Sequence, residues 1–209
     1  MRLSKTVRFR SAALVKNGRN VEFTAFLLFF CFKNCINLIR EKGYKQLNIR
    51  ELAKTTGIST GTFYNFYNSK EDLILSIMEE SQHNLENRFF KILECNGKIT
   101  KSEFIDLYSF FFLRDEKNIF RYLSRDDLTA ILLRTERNQS FETIRTSMKK
   151  NIKYIDKPKK NINFNAVINF IQLVNLCLQN SDLLVKEEIE STVKKLLENI
   201  TEQIFEEEI

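Results

Sequence analysis

The sequence predicts an all-α fold, and three observations carry that prediction. Its 209 residues hold only five Gly and one Pro, few breakers for so long a chain. Apolar residues recur at helical spacing, most regularly at Ile189, Val193, Leu196, Ile200 and Ile204. Helix-start words recur as well: Ser69 with Asp72, and Thr100 with Glu103, each set a capping hydroxyl three residues before a carboxylate. At 43% hydrophobic the chain can bury a substantial core, which its 19 Phe would fill. The length suits one large domain or two small ones.

Residues 1–20 carry Arg2, Lys5, Arg8, Arg10, Lys16 and Arg19 and no acid. They read as a flexible arm able to reach phosphates or a minor groove, or equally as a solubilising tail. A first helix is predicted from about residue 22 to Lys42, with Gly43 as its C-cap. Its apolar run, residues 21–32, is shorter than the about 20 residues a bilayer needs, and it contains Glu22. No small-residue cleavage site follows, so it reads as the buried start of a helix rather than a secretory signal.

Residues 48–66 predict two short helices about a tight turn. Asn48 can cap the first, with Glu51 completing a capping box. Leu52 and Ala53 face a partner helix, and Ala53 is small enough for a close crossing. Gly57 tolerates the positive φ of the reversal, and Ile58 enters the core. Ser59 can cap the second helix. That helix turns Phe63 inward and leaves Thr60, Thr62, Tyr64 and Asn65 outside. The layout is that of a helix-turn-helix, whose second helix enters the DNA major groove; a plain helical hairpin is the alternative.

A long helix follows from Lys70 to about Glu94, apolar at Leu73, Ile77, Leu85, Phe89 and Leu93, and Gly97 ends it. The helix capped by Thr100 carries Phe104, Leu107, Tyr108 and Phe111. Two or three more are predicted between 116 and 155, with Leu128, Ile131 and Leu132 on one face and Phe141, Ile144, Met148, Ile152 and Ile155 on another. Residues 156–161, with the only Pro, read as the clearest loop. The last two helices carry regular stripes: Phe164, Val167, Ile168, Ile171, Val174 and Leu178, then Ile189, Val193, Leu196, Ile200 and Ile204. Such a pair is half of a four-helix bundle that a second copy could complete, or it packs on its own domain.

Charge is unevenly placed. Residues 1–70 hold 13 Lys and Arg against three acids, a formal +10, and the remainder holds 20 against 24, a formal −4. A cationic first third around the helix-turn-helix suits a DNA-binding head on a solvated body. Cys31, Cys35, Cys95 and Cys177 form no CxxC pair, and His83 is the only histidine, so no zinc or other cofactor is expected. Free thiols point to the reducing cytoplasm. With one His and no visible cluster of nucleophile, base and acid, an enzyme has little support.

With these elements in order, Cys31 to Leu73 resembles the DNA-binding domain of the TetR family of transcriptional regulators. The matching words are Arg40-Glu41-Lys42-Gly43-Tyr44, Ile49-Arg50-Glu51-Leu52-Ala53, Gly57-Ile58-Ser59, Gly61-Thr62-Phe63-Tyr64 and Ser69-Lys70-Glu71-Asp72-Leu73. The resemblance implies a DNA-binding set of Asn48, Arg50, Ser59, Thr60, Gly61, Thr62, Tyr64, Asn65, Tyr67 and Lys70. In it, Thr60 and Asn65 are candidates for base edges. Thr62, Tyr64 and Lys70 are candidates for phosphates. Two departures stand out. Phe66-Tyr67 occupies a place where the family usually has His or Tyr and then Phe; Phe66 reads as core packing, and Tyr67 either takes over the phosphate or sits in the core with its hydroxyl at the surface. The apolar run before Cys31 lengthens the first helix.

The resemblance implies a helix-turn-helix domain at 21–69, joined by a long helix to a helical regulatory and dimerisation domain at 70–209. The expected function is that of a dimeric repressor on a palindromic operator, released by a small molecule. Phe104, Tyr108, Phe111, Phe112, Phe120 and Tyr122 could line a cavity for an apolar or aromatic ligand, or form plain core. Control by a protein partner, with no such cavity, is the alternative.

Overall fold

The computed structural model describes residues 21–134, 141–181 and 184–206; of residues 21–28 and a few others, only the backbone is described. The basic residues of the first 20 positions lie outside it, as do the side chains of Leu132, Phe141 and Ile144. Nine α-helices are present among the described residues, with no strand longer than an isolated bridge. None is long and apolar enough to cross a membrane.

The described residues pack as two units, 21–83 with 122–134, and 84–121 with 141–206. In the first unit, α1 (Val21–Lys42) buries Cys31, Phe32, Cys35, Ile36, Leu38 and Ile39. The Gly43 N–H closes its last turn on the Ile39 carbonyl, 2.8 Å. The apolar run is helical from Val21. Helix α2 (Ile49–Thr56) packs on α1 and on α3 (Thr60–Tyr64). The Asn34 amide donates to the Thr55 carbonyl and the Thr56 hydroxyl, both 3.4 Å, tying α1 to the end of α2. The start of α4 (Lys70–Asn96) buries Leu73, Ile74 and Ile77 completely or nearly so. Ser69 Oγ accepts from the Asp72 N–H, and Asp72 reaches back to the Asn68 N–H. Helix α6 (Arg125–Arg134) adds Ile131.

The turn between α2 and α3 depends on Gly57. Its φ is +77°, its N–H bonds to the Lys54 carbonyl, and the Ile58 N–H bonds to the Ala53 carbonyl at 2.9 Å, a Schellman ending. A Cβ there would meet nothing within 4 Å. Gly57→Ala is therefore expected to destabilise through backbone strain alone, by about 1–2 kcal/mol. The check is a lower urea midpoint at unchanged slope.

The second unit takes the rest of α4, then α5 (Lys101–Ser109), α7 (Phe141–Asn151), α8 (Phe164–Gln179) and α9 (Ile189–Ile204). Both halves of the Thr100–Glu103 capping box are made. The bonds from the Thr100 N–H and hydroxyl hold the Glu103 carboxyl below its usual range. Helix α5 continues into a π-helical turn, Phe110–Arg114, which no pattern in the sequence announces. The core of this unit joins Ile99, Phe104, Phe111 and Phe112 to Val167, Val174, Val193, Leu197, Ile200 and Ile204. The segment read as the clearest loop is tied down. The Lys159 N–H donates to the Ile204 carbonyl at 2.8 Å, and the Glu206 N–H donates to the Lys157 carbonyl at 2.9 Å.

Candidate nucleic-acid interface

A shallow cleft of about 550 Å³ opens in the first unit, between the segment after α1 and the short helix α3. Lys45, Asn48, Arg50 and Lys70 line it, with Thr60 and Tyr64 from α3. Three of these residues are cations, and no lining residue is acidic. The chain reaches this arrangement through short local causes. Gly43, at φ +80°, turns the chain after α1. A single 3-10 turn, Tyr44–Gln46, then buries Tyr44 while Lys45 stays exposed. Asn48 caps α2 by accepting the Arg50 N–H at 2.8 Å. The expected capping box is not the arrangement there: Glu51 pairs with Lys42 at the end of α1, a tertiary contact.

Helix α3 owes its start to Ser59, whose Oγ accepts the Thr62 N–H at 3.0 Å and lies 2.9 Å from the Thr62 hydroxyl. Those two hydroxyls engage each other. Phe63 is fully buried. Tyr64 is 54% exposed and sets its ring edge-on to Phe63. Asn65 is exposed and forms the C-cap, its N–H bonding to the Gly61 carbonyl. Of the DNA-binding residues implied by the family resemblance, the cleft brings together Asn48, Arg50, Thr60, Tyr64 and Lys70; Ser59, Gly61, Thr62 and Asn65 lie along the adjoining helix. Tyr67 is the exception. It is 1% exposed and packs on Phe63 with ring centres 5.5 Å apart, out of reach of a phosphate, and Phe66 beside it is half-buried. The cleft also takes in Lys45, which lies outside the set that the resemblance implies and which no motif in the sequence marks.

Around Lys70 the geometry is specific. Its ammonium lies 4.4 Å from the centre of the Tyr44 ring and donates to the Tyr44 carbonyl at 3.4 Å. The Tyr44 hydroxyl donates to Glu71 Oε1 at 2.8 Å, in a buried contact. Cys31 and Cys35 are buried on α1. Burial pushes the Cys31 thiol up, against a hydrogen bond from Thr56; burial, with Cys31 adding, pushes Cys35 up far more. Both stay protonated and poorly nucleophilic near neutral pH.

In the second unit, Phe104, Phe111 and Phe112 are buried in the core, and Tyr108 and Phe120 pack against it. Tyr108 stacks on Phe104 at 4.4 Å, and burial, with Glu86 adding, pushes its phenol up to about 12. Tyr122 groups with the first unit. The stripes of the last two helices face their own core. Val167, Val174, Val193, Ile200 and Ile204 belong to it, and Ile168 is buried too. Ile171, Leu178, Ile189 and Leu196 pack against the same cluster, and Phe164 is half-buried. The apolar side chains left facing out on α8 are Leu173, 44% exposed, and Leu176, 40% exposed, both off the stripe.

Comparison with known proteins bears on this site. Residues 35–77 match the family described as "Bacterial regulatory proteins, tetR family". Over 105 residues the chain is 28% identical to the fatty acid metabolism regulator protein of Bacillus subtilis (strain 168), covering 50% of each. Over 66 residues it is 33% identical to YuxN of the same organism, an uncharacterized HTH-type transcriptional regulator, covering 32% of this chain and 22% of that one. The matched segments thus span half or less of these relatives. A solved structure, that of the superantigen PfiT, has a similar fold over 87% of this chain and 97% of its own, with a TM-score of 0.52 at 17% identity.

Proposed function

We infer, from the premise that this chain carries the DNA-binding domain of the TetR family, that it is a transcriptional regulator gripping double-stranded DNA as a homodimer. The cleft beside α3 carries the reading. It sets Lys45, Arg50 and Lys70 next to the hydroxyls of Thr60 and Tyr64 with no acid among its lining residues. Phosphate oxygens need such a set, and base edges need a helix beside it. In this reading α3 enters the major groove with Thr60 and Asn65 toward the bases. The cations, the Asn48 amide and the Tyr64 hydroxyl hold the flanking backbone.

Two such heads must meet successive major grooves, about 34–36 Å apart, so the operator is a palindrome. A ligand that binds better to another spacing lowers operator affinity by its preference between the two states. We assign the protein the role of a cytoplasmic repressor released in this way. Its ligand is apolar or aromatic, taken up among Phe104, Tyr108, Phe111, Phe112 and Phe120, whose packed rings it would have to part. The test is a band shift with the DNA upstream of its own gene, then challenge with apolar compounds. Absence of any shift removes the DNA reading. A shift that no compound releases leaves control to a protein partner.

The outward face of α8 is the apolar surface that a second copy could cover. Leu173→Glu with Leu176→Glu is expected to weaken the dimer at least about 100-fold, because each charge would be buried against its symmetry mate. Light scattering over a dilution series reads the monomer. A dimer indifferent to both charges moves the interface elsewhere.

A further inference from the structure

We propose that Tyr44 is a positioning residue for DNA binding: its ring seats the Lys70 ammonium at the cleft, ready for a backbone phosphodiester. The proposal rests on the DNA-binding reading above and names a part of that site which the family resemblance left unassigned.

Two consecutive residues of α4 grip one buried tyrosine. Lys70 places its ammonium 4.4 Å from the ring centre, inside the about 6 Å reach of a cation–π contact. Glu71 takes the hydroxyl of the same ring at 2.8 Å. Neighbouring helix positions point in directions about 100° apart, so one side chain can meet the ring face while the other meets its edge. Tyr44 is 5% exposed and Glu71 6%. The ring is therefore fixed from behind, and Lys70 is held from within the fold.

The consequence for binding is physical. A free lysine side chain loses much rotamer freedom when it closes on a phosphate. Here that freedom is already restricted in the folded protein. The Tyr44 carbonyl accepts from the ammonium at 3.4 Å, which leaves donors for an incoming oxygen. Lys45 and Arg50 line the same cleft as exposed side chains, with no such seat among the described residues. Lys70 is thus the preorganised cation of the three, and Tyr44 is the cause.

The experiment uses the full chain and a mixed-sequence DNA duplex of about 30 base pairs at one fixed salt concentration. Lys70→Gln is expected to lower affinity about tenfold in the native background and in Tyr44→Phe, which keeps the ring. In Tyr44→Leu the same change should cost no more than about threefold. Lys45→Gln should cost the same in all three backgrounds, since a loosened head without a specific seat would couple to both lysines alike. Equal costs of Lys70→Gln with and without the ring overturn the proposal and leave the DNA reading intact. A native protein that binds no duplex overturns both. Should Tyr44→Leu fail to fold, the native protein decides. The ε-methylene protons of Lys70, identified by their disappearance in Lys70→Gln, should resonate well upfield of the other lysines under the ring current. An ordinary lysine position overturns the seat.

Discussion

Replacing Lys45, Arg50 and Lys70 together by Gln is expected to weaken binding to any DNA duplex about a thousandfold, roughly tenfold for each phosphate deprived of its cation. The cause is electrostatic. These are the cations of one cleft whose lining residues include no acid, so removing them leaves only neutral donors toward the backbone. Each neutralised phosphate releases counterions, and log K falls against log salt with a slope of about 0.9 per neutralised phosphate. The triple variant should therefore show a slope shallower by about 2.7. Fluorescence anisotropy over a salt series reads both quantities. Lys45 and Arg50 are exposed and Lys70 is half-buried, so the fold should survive, which a thermal melt checks. An unchanged slope would mean that the DNA lies elsewhere. Sequence preference should be affected much less, because base edges are assigned to Thr60 and Asn65.

The helix ends were legible because their causes are local. Gly43, Gly57 and Gly97 each adopt positive φ where a helix stops, and Ser59, Ser69 and Thr100 each accept an N–H where one starts. What was not legible depends on partners distant in sequence. Glu51 reads as the second half of a capping box until the end of α1 brings Lys42 beside it. Residues 156–161 are the loop they read as, but nothing in their composition announces that it is tied to the backbone of Ile204 and Glu206. An amphipathic stripe says that one face is covered, not by what. On α8 and α9 the cover is the chain's own core, and Leu173 and Leu176 remain outside.

The same limit applies at the site. Tyr67 carries a hydroxyl that suits a phosphate, and Phe66 beside it carries none, so the sequence offered Tyr67 as the stand-in for that contact. Helix α3 ends at Tyr64, and the turn after it swings Tyr67 back onto Phe63. Lys45 had no pattern to mark it. Its place in the cleft comes from the burial of Tyr44 one residue before it, which leaves the lysine on the surface beside Arg50 and Lys70.

Phe63→Ala is expected to cost about 3–5 kcal/mol, a large share of the about 5–15 kcal/mol that holds a domain folded. Phe63 is fully buried and touches the rings of Tyr64 and Tyr67, at 5.3 and 5.5 Å between centres. Helix α3 has only five residues, too few to persist without packing. Phe63 is its one buried side chain, so truncating it removes the anchor that gives α3 a position at all. The neighbouring residue supplies the contrast. Tyr64 is 54% exposed, and Tyr64→Ala should change stability by no more than about 0.5 kcal/mol while weakening DNA binding. Urea unfolding and anisotropy on the two variants should therefore give opposite profiles. Phe63→Ala should lose stability, and with it binding. Tyr64→Ala should lose binding alone. A Phe63→Ala protein as stable as the parent would mean that the short helix is held by something other than its buried ring, and the placement of the cleft would lose its physical basis.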